Sequence, residues 1–184
     1  MTNTDEKIQV VYSDADTLSS YLNRGKFEFF MKVFEQLDIE VVIPQKVKDE
    51  LCRGRYKDIR KAAIDQMVRT NRVVIYDFHD GEPEAVTYYE LSKNMGQGEA
   101  AALALAKNSK RKCVVASNNF SDVIKYANEN NIELWPTTKI MTKAIDMGIM
   151  SMEQANTLWK NMKKDGLKLP PYDEFEDFYN SNTQ

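Results

Sequence analysis

Four stretches of the chain carry carboxylate or amide groups where a folded protein could use them: "VVYSDADTLSSYL" with Asp14 and Asp16, "IPQKVKDEL" with Glu50, "MGQGEAAALALA" with Glu99, and "VVASNNFSDV" with Ser117, Asn119 and Asp122. Taken singly, each has a plain reading. Asp14, Asp16 or Asn119 could cap a helix, Glu99 would complement the dipole at a helix start, and Glu50 would be a solvated helix residue. Taken together, they set acids or amides at the ends of two apolar runs and on helices between them, where they can converge on one cleft. Carboxylates within a few Å of one another raise each other's pKa and cost stability unless a cation neutralises them. Donors that are all oxygen suit Mg2+ or Mn2+, which keep waters for chemistry.

The elements that must position these groups can be read from the apolar pattern. Short β-branched runs at 8–12, 40–43, 72–76, 113–116 and 132–135 rarely alternate and are separated by helical periodicity, as buried parallel strands do. Helices are expected at 26–37, from Pro44 to Leu51, and at 58–70, 82–93, 98–107, 121–130, 138–147 and 151–164, with Pro44 at a first helical position. The class is α/β, with a central mostly parallel sheet of about five strands flanked by helices. In such sheets ligands bind at the carboxyl ends of the strands. Asp14 ends the first apolar run and Ser117 follows the fourth. No linker divides the chain, so one domain is expected, with a surface-packed acidic tail anchored by Phe175, Phe178 and Tyr179.

Composition narrows the classes of function. A chain of 184 residues, 42% hydrophobic and 29% charged, suits one globular domain, and a formal charge of -3 does not recruit nucleic acid by bulk electrostatics. Local basic segments exist. Residues 53–72 hold Arg53, Arg55, Lys57, Arg60, Lys61, Arg69 and Arg72 against Asp58 and Asp65, and "KNSKRK", with Lys110 and Arg111, and "WKNMKK" are others. Each is also readable as a solvated helical face. The two cysteines, Cys52 and Cys113, lack metal-ligand spacing and fit a reducing compartment, and the one histidine, His79, supports neither a zinc site nor a Cys-His pair. No run approaches the roughly 18 apolar residues of a membrane helix, and the first residues lack signal-peptide order, so a cytoplasmic location is expected.

The order of the four acidic motifs resembles the PIN-domain ribonucleases, many of them toxins of bacterial toxin-antitoxin pairs. The likeness runs from Tyr12 to Gly148 and includes "WPTTKIMTKAIDMGIMS". It implies a Rossmann-like PIN fold over 1–150, with 151–184 as a C-terminal helix and tail packed on the same domain. It also implies Mg2+- or Mn2+-dependent cleavage of single-stranded RNA. Carried over residue by residue, Asp14, Glu50, Glu99 and Asp122 match the family acids. Asp14, Glu99 and Asp122 would hold the metal, and Glu50 would act from farther out or help hold a second ion. Ser117 and Asn119 could hydrogen-bond substrate or a metal-bound water, and the local basic segments make Arg53, Arg55, Lys110 and Arg111 candidates for contacts to the RNA phosphates. An antitoxin protein and a second copy of the chain are the protein partners this implies. Asp16 stands where the family usually has Ser or Asn. A fifth acid in the cleft would add repulsion, so Asp16 is expected to cap the following helix or to point away. Two other readings compete: a PIN fold without catalysis that binds RNA or protein, and a receiver-like domain with Asp77 as phosphoacceptor and Ser117 beside it. A Rossmann dinucleotide site is poorly supported, since "GQG" lacks a third glycine and precedes an acid.

Overall fold

The Val- and Ile-rich runs become five strands in the computed structural model, which describes residues 7–23 and 25–182, with the backbone alone at 120–122. They are β1 (Val10–Ser13), β2 (Glu40–Pro44), β3 (Val73–Tyr76), β4 (Cys113–Ala116) and β5 (Glu133–Leu134). All pair in parallel, in the order β3-β2-β1-β4-β5. Val11 sits level with Val41 on one side and with Val114 on the other.

Between the strands run α1 (Ala15–Leu22), α2 (Phe27–Gln36), α3 (Gln45–Leu51), α4 (Lys57–Arg69), α5 (Pro83–Leu91), α6 (Gln97–Asn108) and α7 (Phe120–Glu129); α8 (Thr137–Asp146), α9 (Met152–Lys164) and α10 (Phe175–Asn182) follow β5. Helices cover both faces of the sheet, which is why the strands read as continuous apolar runs rather than as an alternation. Val11, Val41, Ile43, Val73, Val114 and Ala116 join the larger core, with side chains of α1 to α4 and α8 to α10. Val10, Tyr12, Val42 and Val115 face the other way, onto Ala102, Leu103, Leu105 and Ala106 of α6 and Val123 and Ala127 of α7. The small side chains Ala100, Ala101 and Ala104 on the far side of α6 let Tyr88 of α5 pack closely.

The helix that the capping acids lead one to expect begins directly after β1 as α1, and the surface-packed tail contains a further helix, α10. Trp159 of α9 is fully buried, with its ring centroid 5.5 Å from Phe175 and 5.9 Å from Phe178, and its indole N–H donates to the Tyr172 carbonyl at 3.0 Å. Apolar burial of that extent stabilises a helix too short to persist alone. Pro44, expected as a first helical residue, is instead extended at φ -57°, ψ 143°, ending β2 and preceding α3. Among the described residues no helix is long and apolar enough to cross a membrane.

The strand order fixes where a site can form. The chain steps from β1 outward to β2 and β3, then returns to lay β4 on the opposite side of β1, so the connections diverge at the carboxyl ends of β1 and β4 and leave a crevice there. Asp77, after β3, lies at the sheet's edge, with β2 between its strand and β1, and its Oδ1 accepts from the Phe78 N–H at 3.0 Å. A receiver-like arrangement would bring the third strand beside the first, which this order does not do.

Candidate active site

The crevice is built by the abrupt change from β1 to α1. Asp14 takes an extended backbone (φ -81°, ψ 171°), and its Oδ1 accepts from the Thr17 N–H at 2.8 Å, capping the helix. Capping accounts for half of the carboxylate. Oδ2 is buried and has no hydrogen-bond partner among the described residues, in a residue only 1% exposed. Burial pushes the Asp14 carboxyl up to about 7; the neighbouring Ser117 hydroxyl and the Thr17 N–H pull the other way without prevailing, and Asp16 adds a smaller upward push.

Glu99 occupies the first turn of α6. Its Oε2 accepts from the Gly96 N–H at 3.2 Å and its Oε1 accepts from Asn119 Nδ2 at 2.7 Å. Asn119 thus faces Glu99 from the turn after β4, and its own N–H donates to Ser117 Oγ at 3.3 Å. That turn is held from behind by Thr137, fully buried at the start of α8. Its N–H donates to Asn118 Oδ1 and its hydroxyl accepts from Asn118 Nδ2, both at 2.9 Å.

Glu50 enters from the last turn of α3. Burial raises its pKa first, and the charges of Asp16 and Glu99 raise it further, against Arg53 and Arg60. Its position depends on Gly98. A Cβ there would lie 3.0 Å from Glu50 Oε2, 3.2 Å from Val47 Cγ2 and 3.7 Å from the Ala15 nitrogen. The absence of a side chain lets α6 meet α3 and the start of α1 at one point. Asp14, Asp16, Glu50 and Glu99, with Gly96 and Gly98, line a pocket of about 50 Å3.

Asp16 therefore lines the pocket. The expectation that it caps α1 or points away does not hold: Asp14 takes the capping role, and Asp16, two residues on in the first turn of α1, lines the pocket. Asp122 lies in the first turn of α7, and its side chain is outside the described residues. Arg53 and Arg55 are exposed on the connection between α3 and α4, directly past Glu50, and the guanidinium groups of Arg55 and Arg60 lie 5.5 Å and 5.7 Å from the Tyr56 ring centre. Lys110 and Arg111 are not brought to the acids. They precede β4 and so stand at the amino ends of the strands, away from the acids, where Arg111 pairs with Glu40 at 2.6 Å. Sequence reasoning did not single out Gly98, Asn118 or Thr137; only the small-residue start of "GQGEAAALALA" hinted at a close helix approach.

The donors on hand are hard oxygens, one of them a buried orphan, which suits a small divalent cation. Among the described residues no three acids, histidines or cysteines are close enough together to enclose an ion by themselves. A cation that retains most of its waters needs only one or two carboxylates. A pocket of about 50 Å3 holds a few water-sized groups, so a partly hydrated ion fits. Compared with known families, the chain matches a model described as PIN domain over residues 10–173. No curated protein matches it.

Proposed function

The chain belongs to the PIN-domain family, and from that premise we propose that it is a divalent-metal-dependent endoribonuclease acting on single-stranded RNA. The observation that carries this reading is Asp14 Oδ2: a buried carboxylate oxygen without a partner among the described residues, in a pocket with three more acids at the divergence of β1 and β4. A fold does not keep a costly desolvated acid there for helix capping alone, which Oδ1 already provides.

Asp14 and Glu99, with Asp122 from α7, would hold Mg2+ or Mn2+, and Glu50 would act from just outside them. When bound, the ion supplies a water of lowered pKa and charge neutralisation at the phosphate. The chain's own groups do the rest. Thr17 and Gly96 N–H groups fix the Asp14 and Glu99 carboxylates against rotation. Asn119 holds Glu99 from the side of β4, and the Asn118 and Thr137 pair keeps that turn from drifting. Glu50, its pKa raised by burial and by two neighbouring acids, is suited to accept a proton from a water at the pocket wall. Arg53 and Arg55 stand where they can meet flanking phosphates. An antitoxin acting on this enzyme would have to cover the same pocket.

A second reading, a PIN fold that binds RNA or protein without cutting, draws on the bond from Asn119 to Glu99 Oε1, which occupies one ligand oxygen with an amide. One experiment separates the two. Purified protein is incubated with end-labelled single-stranded RNA in Mn2+ or Mg2+, with and without chelator, beside Asp14→Asn. Metal-dependent cleavage that disappears in the variant supports the nuclease; tight RNA binding with no cleavage under any metal gives the second reading its place.

A further inference from the structure

On the side of the sheet turned toward α6, one strand residue stays bare. α6 packs over β1, β2 and β4, and α5 packs chiefly on α6, so Val74 of β3 remains 43% exposed. A cavity of about 160 Å3 opens there, floored by Val42, Val74 and Leu105, with Tyr12 and Tyr76 beside them. It shares no lining residue with the acid pocket. Its volume is below the roughly 300–1,000 Å3 of clefts that take whole small-molecule ligands, and close to the roughly 150 Å3 that admits a benzene-sized group. What fits is one long side chain or a free molecule of that size.

The polar groups around this floor are spent unevenly. At one end the Tyr12 hydroxyl donates to Ser109 Oγ at 3.3 Å, Ser109 Oγ donates to the Arg111 carbonyl at 3.0 Å, and Arg111 pairs with Glu40 at 2.6 Å, so both charges there are answered. At the other end two carboxylates, Glu82 and Glu84, share one neutral donor, the Tyr76 hydroxyl. Among the described residues neither acid is in a salt bridge. The Tyr76 hydroxyl, with a smaller pull from His79, holds Glu84 below the usual carboxylate range. Asn108, also in the lining, gives its amide hydrogens to Thr87 Oγ1 at 3.1 Å and to the Ala104 carbonyl at 2.8 Å, which leaves its Oδ1 to accept. The unspent groups are acceptors and the unanswered charge is negative, beside an apolar floor. A matching ligand carries donors and positive charge on an apolar stem, as lysine and arginine side chains do, and tyrosine rings favour the same cation.

We propose that this cavity binds an aliphatic cation, a guanidinium or ammonium group on a methylene stem, with Glu84 taking the charge and Val42, Val74 and Leu105 the stem. Such a group reaches the protein in two ways, as a free alkylamine or alkylguanidine or as the arginine or lysine side chain of another protein. The site stands apart from the nuclease reading and does not depend on whether the chain cuts RNA.

The test is a titration of 15N-labelled full-length protein, read by amide chemical shifts, with butylguanidinium, with its neutral isostere butylurea, and with a blocked Gly-Arg-Gly peptide. Butylguanidinium should give saturable shifts at Val42, Val74 and Leu105. Butylurea on wild type, and butylguanidinium on Glu84→Gln, should each bind at least roughly tenfold more weakly, since a charge-assisted hydrogen bond is lost. Gln can still accept from Tyr76, so that variant keeps the local fold. Val74→Lys, at an exposed position, places a cation in the cavity from within and should abolish the shifts while the rest of the spectrum is unchanged. A peptide at least roughly tenfold tighter than butylguanidinium supports a partner's side chain as the source; equal or weaker peptide binding supports the free cation. Equal affinity for butylurea and butylguanidinium would overturn the proposal, as would shifts confined to residues around Asp16, Glu50 and Glu99, or no saturable shift with either cationic probe.

Discussion

Asp14 is the residue on which stability and function pull apart. Its folded pKa, about 7, lies above the value near 4 of an unfolded aspartate, so between those pH values the native state holds a proton the unfolded chain has shed. Metal-free protein should therefore lose stability as pH rises from about 4 to about 7 and change little above, a slope that urea denaturation in chelator would record. Asp14→Asn keeps the cap and removes the charge. It should flatten that slope and raise stability above pH 7 by about 1–3 kcal/mol, with cleavage lost. Bound metal reverses the preference, since the ion competes with the proton; titration calorimetry should show apparent affinity weakening roughly tenfold per pH unit below about 7. Glu99 behaves differently. Both of its oxygens accept hydrogen bonds, and Glu99→Gln can accept through only one, so this variant should be inactive and also less stable by about 0.5–1.5 kcal/mol. Equal stability of the two variants would contradict the hydrogen bonding seen at Glu99.

At the scale of elements, the meeting of α1, α3 and α6 at Gly98 decides whether the acids share a pocket. Gly98→Ala gains helix propensity of up to about 1 kcal/mol but drives its methyl into Glu50 Oε2 and Val47 Cγ2. Val47 is fully buried and has little freedom to retreat, so a net loss of about 1–2 kcal/mol is expected in denaturant titration, with Glu50 displaced and cleavage reduced. Much of this scale was legible in the amino acids. The β-branched runs located every strand; β1, β2 and β4 read most plainly because they are buried on both faces, whereas β3 and β5 are partly exposed. For α1 the capping acids announced a helix start but not its extent, which Leu18, Tyr21 and Leu22 set by burying the face opposite Asp16, Ser19, Ser20 and Asn23. The helical end of the chain was hidden for a related reason, since α10 depends on Trp159, Phe175 and Phe178 finding one another and not on its own propensity. Trp159→Ala should cost about 3–5 kcal/mol by the same denaturation assay.

For the whole molecule, strand polarity divides the surface. In a parallel sheet whatever follows a strand and whatever precedes one lie at opposite ends of the strands, so Lys110 and Arg111, just before β4, could have been separated from Asp14 by sequence order alone. Convergence in space is less readable: that Glu50 and Asp16 share a pocket follows from helix packing, which no local pattern encodes. Two double charge reversals test the division. Arg53→Glu with Arg55→Glu should weaken RNA binding and reduce the salt slope of log K by about 1–2, whereas Lys110→Glu with Arg111→Glu should leave binding and slope as in wild type. The central pairing has a further consequence, in time. Ser13 lies level with Ala116, so the two halves of the cleft, Asp14 on one and Ser117 with Asn119 on the other, are about a hundred residues apart along the chain. Joining them requires closing a long loop, and contacts of that sequence separation are slow to form. A chain still emerging from the ribosome, or one that has frayed between β1 and β4, has Asp14 and the Asn119 that holds Glu99 on separate pieces. On the nuclease reading, such a chain would be inactive until the middle strand of its sheet has found its second neighbour.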